Sequence, residues 1–377
     1  MKIAVLRRRY SGYGGGERFV DTFLRVLAEA GHDVHLFSHA WPAPVPRVTV
    51  HRVPTLAGAT LGLVSYAVLA PRLARAAGVR LIHSFERTLE QDLYRAGEGC
   101  HRQWLALRRR HLRGGLGGLD RVRPFHLAVL AIERRVCRGG AARRMAVNSR
   151  LVEAGFVRHY GPLRVEMTLL RNGVDVVRFH PDVRAGLRPA GRRDLGLGEG
   201  QVTLVTVGSG FSRKGLATTM RALGTLKRQA GARPILVVVG RGHPQSFRRL
   251  AGREGVDDQV RFLDPVCDPR PLYAAADVFV LPTVYDPSSN ATLEALAMGL
   301  PVITTTTNGS GELIAHGRSG WLLASPDDHA GLAGILAEGL DPVRRRAIGE
   351  EGRAVVATYT WERHLDETLA LYRRLAP

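Results

Sequence analysis

The stretch Val280–Thr307, VLPTVYDPSSNATLEALAMGLPVITTTT, joins strand-like and helix-like patterns and decides the fold of the second half of the chain. An apolar strand ends at Pro282, and a polar turn follows it. A short helix is expected from about Asn290 to Met298, and a second β-rich run follows at 301–306. Strands that alternate with helices in this way predict a parallel sheet covered by helices.

Two carboxylates in this stretch, Asp286 and Glu294, are eight residues apart. Both are expected near the carboxyl end of a buried strand, where ligands bind in open α/β sheets. Ser288, Ser289 and Asn290 are good N-cap residues, and the first amides of a helix can bind an anion. Acids beside an anion site favour a ligand with phosphate and hydroxyl groups, such as a sugar nucleotide. The alternative is a capped helix with solvated acids.

Length and composition indicate a folded protein of two domains. The chain has 377 residues, of which 45% are hydrophobic and 23% charged. Its three cysteines lack metal-ligand spacing, which argues against a zinc site and suits a reducing compartment. The first residues contain too short an apolar run for a signal peptide, and no uncharged apolar stretch is long enough to span a membrane.

The charge is strongly basic and unevenly distributed. The formal net charge is +20, and residues 101–150 contain 13 arginines against only Asp120 and Glu133. Within Trp104–Arg138, apolar positions lie on a helical stripe flanked by arginines, a pattern typical of a segment on anionic lipid. A packed helix with an arginine-rich outer face is the alternative. Nucleic acid is disfavoured because no binding module is evident.

The first half begins with a strand–helix–strand unit. The strand Lys2–Leu6 is followed by a glycine-rich loop to Gly16 and an amphipathic helix, Glu17–Ala30. Such a loop can hold phosphate, but it lacks the dinucleotide fingerprint, so a nicotinamide cofactor is disfavoured. Further along, Glu98 is flanked by glycines, which let the backbone approach a ligand closely.

The second half restarts the same pattern. A strand at 202–207 leads into a loop that contains Gly208 and the adjacent cations Arg213 and Lys214, and a helix follows. This loop suits a diphosphate, although it is not a P-loop. Before it, residues 169–175 are expected to form a strand that enters a turn, and the Gly-, Pro- and Arg-rich stretch 182–200 a linker.

In the order and spacing of these motifs, the chain resembles the family 4 glycosyltransferases of the GT-B fold and, within that family, the lipopolysaccharide core glucosyltransferases. The resemblance covers nearly the whole chain. It implies two Rossmann-like parallel-sheet domains that face each other across a deep cleft. The implied domains are an acceptor-binding domain at 1–168, a nucleotide-sugar domain at 169–360, and a helix at 361–377 that packs back on the first domain.

The resemblance also implies roles for the opening stretch. The family's paired glutamates correspond to Asp286 and Glu294, with aspartate in place of the first glutamate. Glu294 is implied to bind the donor ribose, and Asp286 to hold the donor sugar. The amides implied to bind phosphate and sugar are those of Asn290, Ala291 and Thr292.

Other residues have implied roles near the transferred group. Arg213 and Lys214 correspond to the cation pair that holds the diphosphate, beside the glycine loop that begins at Gly208. Arg241 corresponds to a position near the nucleotide base. The N-terminal loop that faces the donor includes Gly15 and Gly16, and Glu98 is implied to lie near the transferred sugar. With Asp286, Arg213 and Lys214, Glu98 completes the implied catalytic set; no metal or cofactor is expected.

The implied activity is retaining transfer of a hexose, glucose from UDP-glucose, to a lipid-linked saccharide such as the heptose of the lipopolysaccharide inner core. The segment 101–138 is implied to dock on an anionic membrane, at the cytoplasmic face. Three alternatives remain: transfer to another surface glycan or glycolipid from a different nucleotide sugar, a sugar-nucleotide epimerase, and a basic protein without enzymatic activity. A glycoside hydrolase that uses the two acids is less consistent with the cation pair.

Overall fold

The computed structural model describes residues 1–10, 15–41, 44–112 and 123–375. The chain divides into an N-terminal unit, Met1–Asn172 with Trp361–Pro377, and a C-terminal unit, Gly173–Thr360. The sequence placed the change of domain at residue 169 and the structure has it at Gly173. Among the described residues, no helix combines the length and apolarity needed to cross a membrane.

A parallel sheet forms the centre of the N-terminal unit. Its strands are β1 (Lys2–Leu6), β2 (Asp33–Ser38), β3 (Val48–Arg52), β4 (Leu81–Ser84), β5 (Gln91–Arg95), β6 (Ala142–Val147) and β7 (Glu166–Leu169). They are arranged in the order β3-β2-β1-β4-β5-β6-β7, with parallel pairing throughout. The helices are α1 (Gly15–Glu29), α2 (Ala59–Ala76), α3 (His101–His111), α4 (Pro124–Arg138) and α5 (Arg150–Tyr160).

The C-terminal unit repeats the design with a smaller sheet. Its helices are α6 (Pro181–Asp194), α7 (Leu216–Ala230), α8 (Pro244–Glu254), α9 (Arg270–Ala275), α10 (Asn290–Ala297), α11 (His329–Glu338) and α12 (Pro342–Val356). Its strands are β8 (Thr203–Val207), β9 (Ile235–Val239), β10 (Val260–Leu263), β11 (Val278–Leu281), β12 (Val302–Thr305) and β13 (Trp321–Leu323). They lie in the order β10-β9-β8-β11-β12-β13, all parallel. This order brings the carboxyl ends of β8, β9 and β11 together.

The last helix, α13 (Trp361–Leu375), belongs to the N-terminal unit, as predicted. Its residues Leu371, Tyr372 and Leu375 are buried in the same core as Phe19 and Phe23 of α1. The burial follows from the apolar face of α1, whose phenylalanines are four residues apart. The chain therefore ends in the unit in which it began.

The predicted linker at 182–200 is wrong for most of its length, because residues 181–194 form α6. His180 caps this helix, since its imidazole accepts a hydrogen bond from the amide of Asp182 at 3.2 Å. Arg188 and Arg192 of α6 donate to backbone carbonyls at the end of α9. Packing with α9 thus outweighs the poor helix propensity of the glycines and the proline.

Two other expectations differ from the structure. The strand expected to start at Leu169 instead ends there, as β7. The apolar stripe of α4 is not exposed for contact with lipid, because Val129 and Ile132 pack on Leu63 of α2 in a buried cluster. The face that remains exposed on α4 is rich in arginine. The predicted basic segment also includes residues 113–122, which lie outside the described residues.

Candidate functional site

Two loops of the C-terminal unit bring the predicted cations and the first carboxylate together. Lys214, in the loop after β8, places its Nζ 2.5 Å from Oδ2 of Asp286, in the loop after β11. Nη1 of Arg213 lies 3.6 Å from the same oxygen and donates to the carbonyl of Tyr285 at 3.1 Å. The amide of Val284 donates to the carbonyl of Arg213 at 2.8 Å, which ties the two loops by their backbones. The loops therefore hold the three side chains as one cluster.

Burial and charge act against each other at this cluster. Burial alone would raise the pKa of Asp286, but Lys214 and Arg213 outweigh it, and the pKa lies below its usual value. Burial lowers the pKa of Lys214 in spite of the attraction to Asp286. The side chain of Arg213 is about one-third exposed, in contrast to the other two. An anionic ligand would therefore meet Arg213 directly.

Glycines allow the backbones of the loops after β8, β9 and β11 to pack directly against one another. Gly215 has φ of +75°, and a β-carbon there would lie 1.9 Å from the carbonyl oxygen of Pro282. A β-carbon on Gly240 would lie 2.4 Å from the carbonyl oxygen of Gly208. No other residue fits at either position without moving a backbone. The predicted glycine loop is thus a tight junction of the loops after β8, β9 and β11.

Arg241 lies in the loop after β9 and is exposed. Its amide donates to Oγ of Ser209 at 3.1 Å, and its carbonyl accepts from the amide of Gly210 at 2.9 Å. These bonds fix the backbone of Arg241 to the glycine loop. The structure therefore places this residue at the carboxyl edge of the sheet, next to the loop that contains the cation pair.

The N-terminus of α10 is capped by Ser289, as the sequence indicated. Oγ of Ser289 accepts from the amide of Thr292 at 3.3 Å, so that amide is already occupied. The amide of Ala291 has no such partner among the described residues, whereas Asn290 has further contacts. The buried Asn308 accepts from the amide of Ser289 at 3.3 Å and donates to Oγ1 of Thr292 at 3.1 Å. Asn308 thereby fixes the start of the helix.

Glu294 lies in α10 and is held by a tyrosine that the sequence did not single out. The hydroxyl of Tyr273, in α9, donates to Oε2 of Glu294 at 2.8 Å. Tyr273 is completely buried, whereas Glu294 is partly exposed. The tyrosine can therefore orient the carboxylate toward a ligand without itself being accessible. Glu294 is in the same unit as the cation cluster and on the helix that follows Asp286.

Glu98 lies in the N-terminal unit, between two arginines. Its carboxylate is 3.0 Å from Nη1 of Arg7 and 3.2 Å from Nη1 of Arg87. Burial opposes the ionised form, but the arginines outweigh it and lower the pKa of Glu98. Glu98 is therefore an anion near neutral pH and unsuited to donate a proton. Gly15 and Gly16 are the first residues of α1, and the loop before them, 11–14, lies outside the described residues.

A buried carboxylate, Glu133, anchors the basic segment. Glu133 of α4 is completely buried and accepts from the amide of His101, at the start of α3, at 2.9 Å. It also accepts from Nε of Arg87 at 3.1 Å and from the hydroxyl of Tyr160 at 2.7 Å. A carboxylate at a helix N-terminus complements the helix dipole. Glu133 thus joins α3, α4 and α5 into one frame.

Among the residues that the structure describes, no three His, Cys, Asp or Glu side chains are grouped so that they could hold a metal ion. The described charged groups at the carboxyl ends of the C-terminal strands include the cation cluster, Arg241 and Glu294. They suit a ligand that carries both negative charge and hydroxyl groups.

Comparison with known families decides what this arrangement is. The family described as "Glycosyltransferase Family 4" matches residues 13–178, and the one described as "Glycosyl transferases group 1" matches residues 201–341. The first match covers strands β2 to β7 of the N-terminal sheet, and the second covers all six strands of the C-terminal sheet. The chain is a family 4 glycosyltransferase. The predicted enzyme class, a hexosyltransferase, is confirmed.

Individual relatives agree with this family. The glycosyltransferase is 27% identical over 343 residues to "Lipopolysaccharide glucosyltransferase WaaG" of Escherichia coli, with 90% of each chain covered. A crystal structure of WaaG superposes with a TM-score of 0.82 at 26% identity, covering 94% of this chain and 95% of that one. The GT-B fold with two parallel-sheet domains is confirmed.

Other relatives differ in their named substrates. "D-inositol 3-phosphate glycosyltransferase 2" of Catenulispora acidiphila is 32% identical over 248 residues, covering 62% of this chain and 56% of that one. Anabaena HepE, solved in complex with UDP-glucose, shares the fold with a TM-score of 0.70 at 18% identity, covering 98% and 99% of the two chains. The names of the sequence relatives therefore refer to more than one acceptor.

Proposed function

We propose that this glycosyltransferase transfers glucose from UDP-glucose, with retention of configuration, to a lipid-anchored saccharide such as the heptose of a lipopolysaccharide inner core. The observation that carries the donor part is the cluster of Lys214, Arg213 and Asp286 beside the N-terminus of α10. The likeness to WaaG over 90% of the chain supports the sugar and the acceptor.

The cation cluster suits the departure of a diphosphate. When the sugar leaves, negative charge develops on the diphosphate, and fixed cations stabilise that charge without reorganisation. In this proposal the partly exposed Arg213 contacts the diphosphate, and the buried Lys214 beside it adds a second positive charge. Asp286 positions Lys214 and favours its protonated form, because their charged groups are 2.5 Å apart. The amide of Ala291, at the start of α10, adds a donor of the kind that binds phosphate.

The other predicted residues would bind the rest of the donor. Glu294 would accept hydrogen bonds from the ribose hydroxyls, in the orientation that Tyr273 imposes. Arg241 would contact the base from the loop after β9. Glu98, an anion held by two arginines, would stabilise positive charge on the transferred sugar rather than act as an acid.

We infer further that the enzyme works as a peripheral protein at the cytoplasmic face of the membrane. The exposed face of α4 carries Arg134 and Arg135, which together with Arg138 and Arg164 line a groove of about 570 Å³. Because the apolar stripe of α4 is buried, attachment would be mainly electrostatic. Such a surface would bring the active site to an acceptor that is itself held in the membrane.

A transfer assay tests this proposal. The enzyme is incubated with UDP-glucose or other nucleotide sugars, and with a lipid-linked heptose acceptor or inositol 3-phosphate. The expected product is a glucosylated lipid, in which NMR shows the anomeric configuration of the donor. If only inositol 3-phosphate accepts the sugar, the proposed lipid-linked acceptor is wrong. Conversion of the nucleotide sugar in the absence of any acceptor would instead indicate an epimerase.

A further inference from the structure

A cavity of about 470 Å³ lies in the C-terminal unit, at the end of the sheet opposite to the proposed donor site. One of its walls is Asp277, the residue before β11, whose carboxylate accepts from the amide of Thr203 at the start of β8. The cavity is therefore at the amino ends of the strands, whereas Lys214 and Asp286 follow the carboxyl ends. Helices α6 and α12 supply most of the other walls and most of the charge, and Gly299 and Pro301 complete the lining.

Three arginines of this cavity have no carboxylate partner among the described residues. Arg184 donates to the carbonyls of Ala276 and Gly299 at 3.0 and 3.4 Å. Arg345 donates to the carbonyls of Gly339 and Leu340, and Arg353 to that of Val176. The two acids of the lining are already paired: Asp277 with Arg188 at 2.6 Å, and Glu350 with Arg346 at 2.9 Å. The cavity thus holds an excess of positive charge.

Two of these arginines also have donors that lack an acceptor. Nε of Arg184 and Nη1 of Arg353 are buried and have no hydrogen-bond partner. Hydrogen bonds within the described residues therefore leave these two guanidinium groups partly uncompensated, which adds to the excess of positive charge in the cavity. Burial, together with the nearby Arg188, lowers the pKa of Arg184 to about 10, in spite of the opposing effect of Asp277.

We propose that this cavity is a second anion site, which binds the phosphoryl group of a small phosphate monoester or of free phosphate. Guanidinium groups match phosphoryl oxygens in geometry and charge, and three of them converge here. The cavity volume falls within the range of roughly 300–1,000 Å³ that is typical of small-molecule sites. The space exceeds what a lone phosphate needs, which favours an ester. The site is independent of the donor proposal, because it shares no residue with it.

Calorimetric titration tests the site. Inorganic phosphate and glycerol 3-phosphate are titrated into the wild type, into Lys214→Ala, and into the double variant Arg345→Gln/Arg353→Gln. Both ligands are expected to bind the wild type and Lys214→Ala, the monoester more tightly. The double variant should lose affinity by about tenfold or more. Arg344→Gln is the matched control, because Arg344 is adjacent on α12 but donates to the carbonyl of Gly317 outside the cavity.

A further variant tests the site even if the double variant does not fold. Arg346 lines the cavity, yet its side chain is 83% exposed and bonds only to Glu350 among the described residues, so Arg346→Glu should fold. Its affinity for the monoester should fall about threefold, through charge alone. Equal binding by wild type and Arg346→Glu would overturn the proposal, as would binding lost in Lys214→Ala but kept in the double variant. If phosphate binds only at very high concentrations, the cavity holds an adventitious ion only, and the proposal is wrong.

Discussion

Lys214 and Asp286 illustrate how a single ion pair can organise a ligand site. Removing one partner of a buried pair leaves the other charged and unpaired, at a cost of about 3–5 kcal/mol. Because the pKa of Asp286 is lowered, its contribution to the free energy of unfolding is complete above its unfolded pKa of about 3.9. The contribution is lost as pH falls through the folded pKa, so Asp286 remains ionised over the neutral range.

Tyr273 is expected to affect donor affinity chiefly through Glu294. Tyr273→Phe removes the hydroxyl that holds the carboxylate, a hydrogen bond to a charged group worth about 1.5–3 kcal/mol. The KM for the donor should rise by about tenfold, with a smaller change in kcat. Steady-state kinetics with varied donor concentration measures both.

A buried tyrosine in the other unit provides the matched control for Tyr273→Phe. The hydroxyl of Tyr66 donates to the carbonyl of Phe37 at 2.7 Å. Tyr66→Phe should lower stability and leave the donor KM unchanged. An equal rise of KM in both variants would mean that the effect of Tyr273→Phe comes from loss of stability.

Sequence motifs predicted the parts of the site whose residues are close along the chain. The cation pair, the Ser289 cap and the two acids lie within short stretches that carry their own turn and cap signals. Tyr273 and Asn308 could not be predicted in this way, because each acts on α10 from another element. The same holds for Arg7, which is 91 residues from its partner Glu98. Such contacts depend on the sheet order, which no local pattern contains.

At the scale of elements, strands and helices with regular patterns were predicted closely. β1 has the bounds expected from the sequence, and α10 begins at the expected residue, Asn290. β5 was missed because its sequence, QDLYR, is polar although every residue is buried. Its polar groups are satisfied by other elements: Asp92 accepts from the amide of Ile82 at 2.8 Å, and Gln91 donates to the carbonyl of Ala141. Hydrophobic periodicity cannot reveal a buried strand whose partners lie elsewhere.

The exposed face of α4 is expected to govern attachment to anionic membranes. Arg134→Glu/Arg135→Glu changes the charge by four units on that face, and each arginine near such a surface contributes about 1 kcal/mol. Partitioning onto vesicles that contain anionic phosphatidylglycerol should fall by at least about tenfold and should depend strongly on salt. Vesicle sedimentation measures the bound fraction.

An equal change of charge on the other unit is the control for α4. Arg249 and Arg253 are exposed on α8, and Arg249→Glu/Arg253→Glu should leave partitioning nearly unchanged. If both double variants lose binding equally, net charge rather than the face of α4 determines attachment. Both proteins should retain the wild-type far-UV circular dichroism.

At the scale of the molecule, α13 closes the N-terminal unit through two buried histidines. Nδ1 of His83 lies 2.6 Å from the hydroxyl of Tyr372, and Nδ1 of His364 lies 2.7 Å from the carbonyl of Arg171. Burial, with a contribution from Arg95, lowers the pKa of both imidazoles well below 6.5. Both are therefore neutral in the folded protein.

The sign of the resulting pH dependence follows from these lowered pKa values. Below an unfolded pKa of about 6.5 the unfolded chain binds protons that the folded chain does not. The free energy of unfolding should fall from pH 7 to pH 5, and His364→Gln should make that slope shallower. Urea unfolding at several pH values tests this, with exposed His243→Gln as the control. A slope identical in wild type and His364→Gln would exclude His364 as its source.

The central claim is that the cluster at Lys214 holds the diphosphate of a nucleotide-sugar donor. Its most direct test compares the turnover of UDP-glucose by Lys214→Ala with that by the control variant Lys227→Ala. Lys227 lies in α7, the helix that follows Lys214, and donates to the carbonyl of Gly255. Lys214→Ala should lose activity by about 100-fold or more with its fold retained. Lys227→Ala should keep nearly full activity. Wild-type turnover by a folded Lys214→Ala protein would contradict the claim.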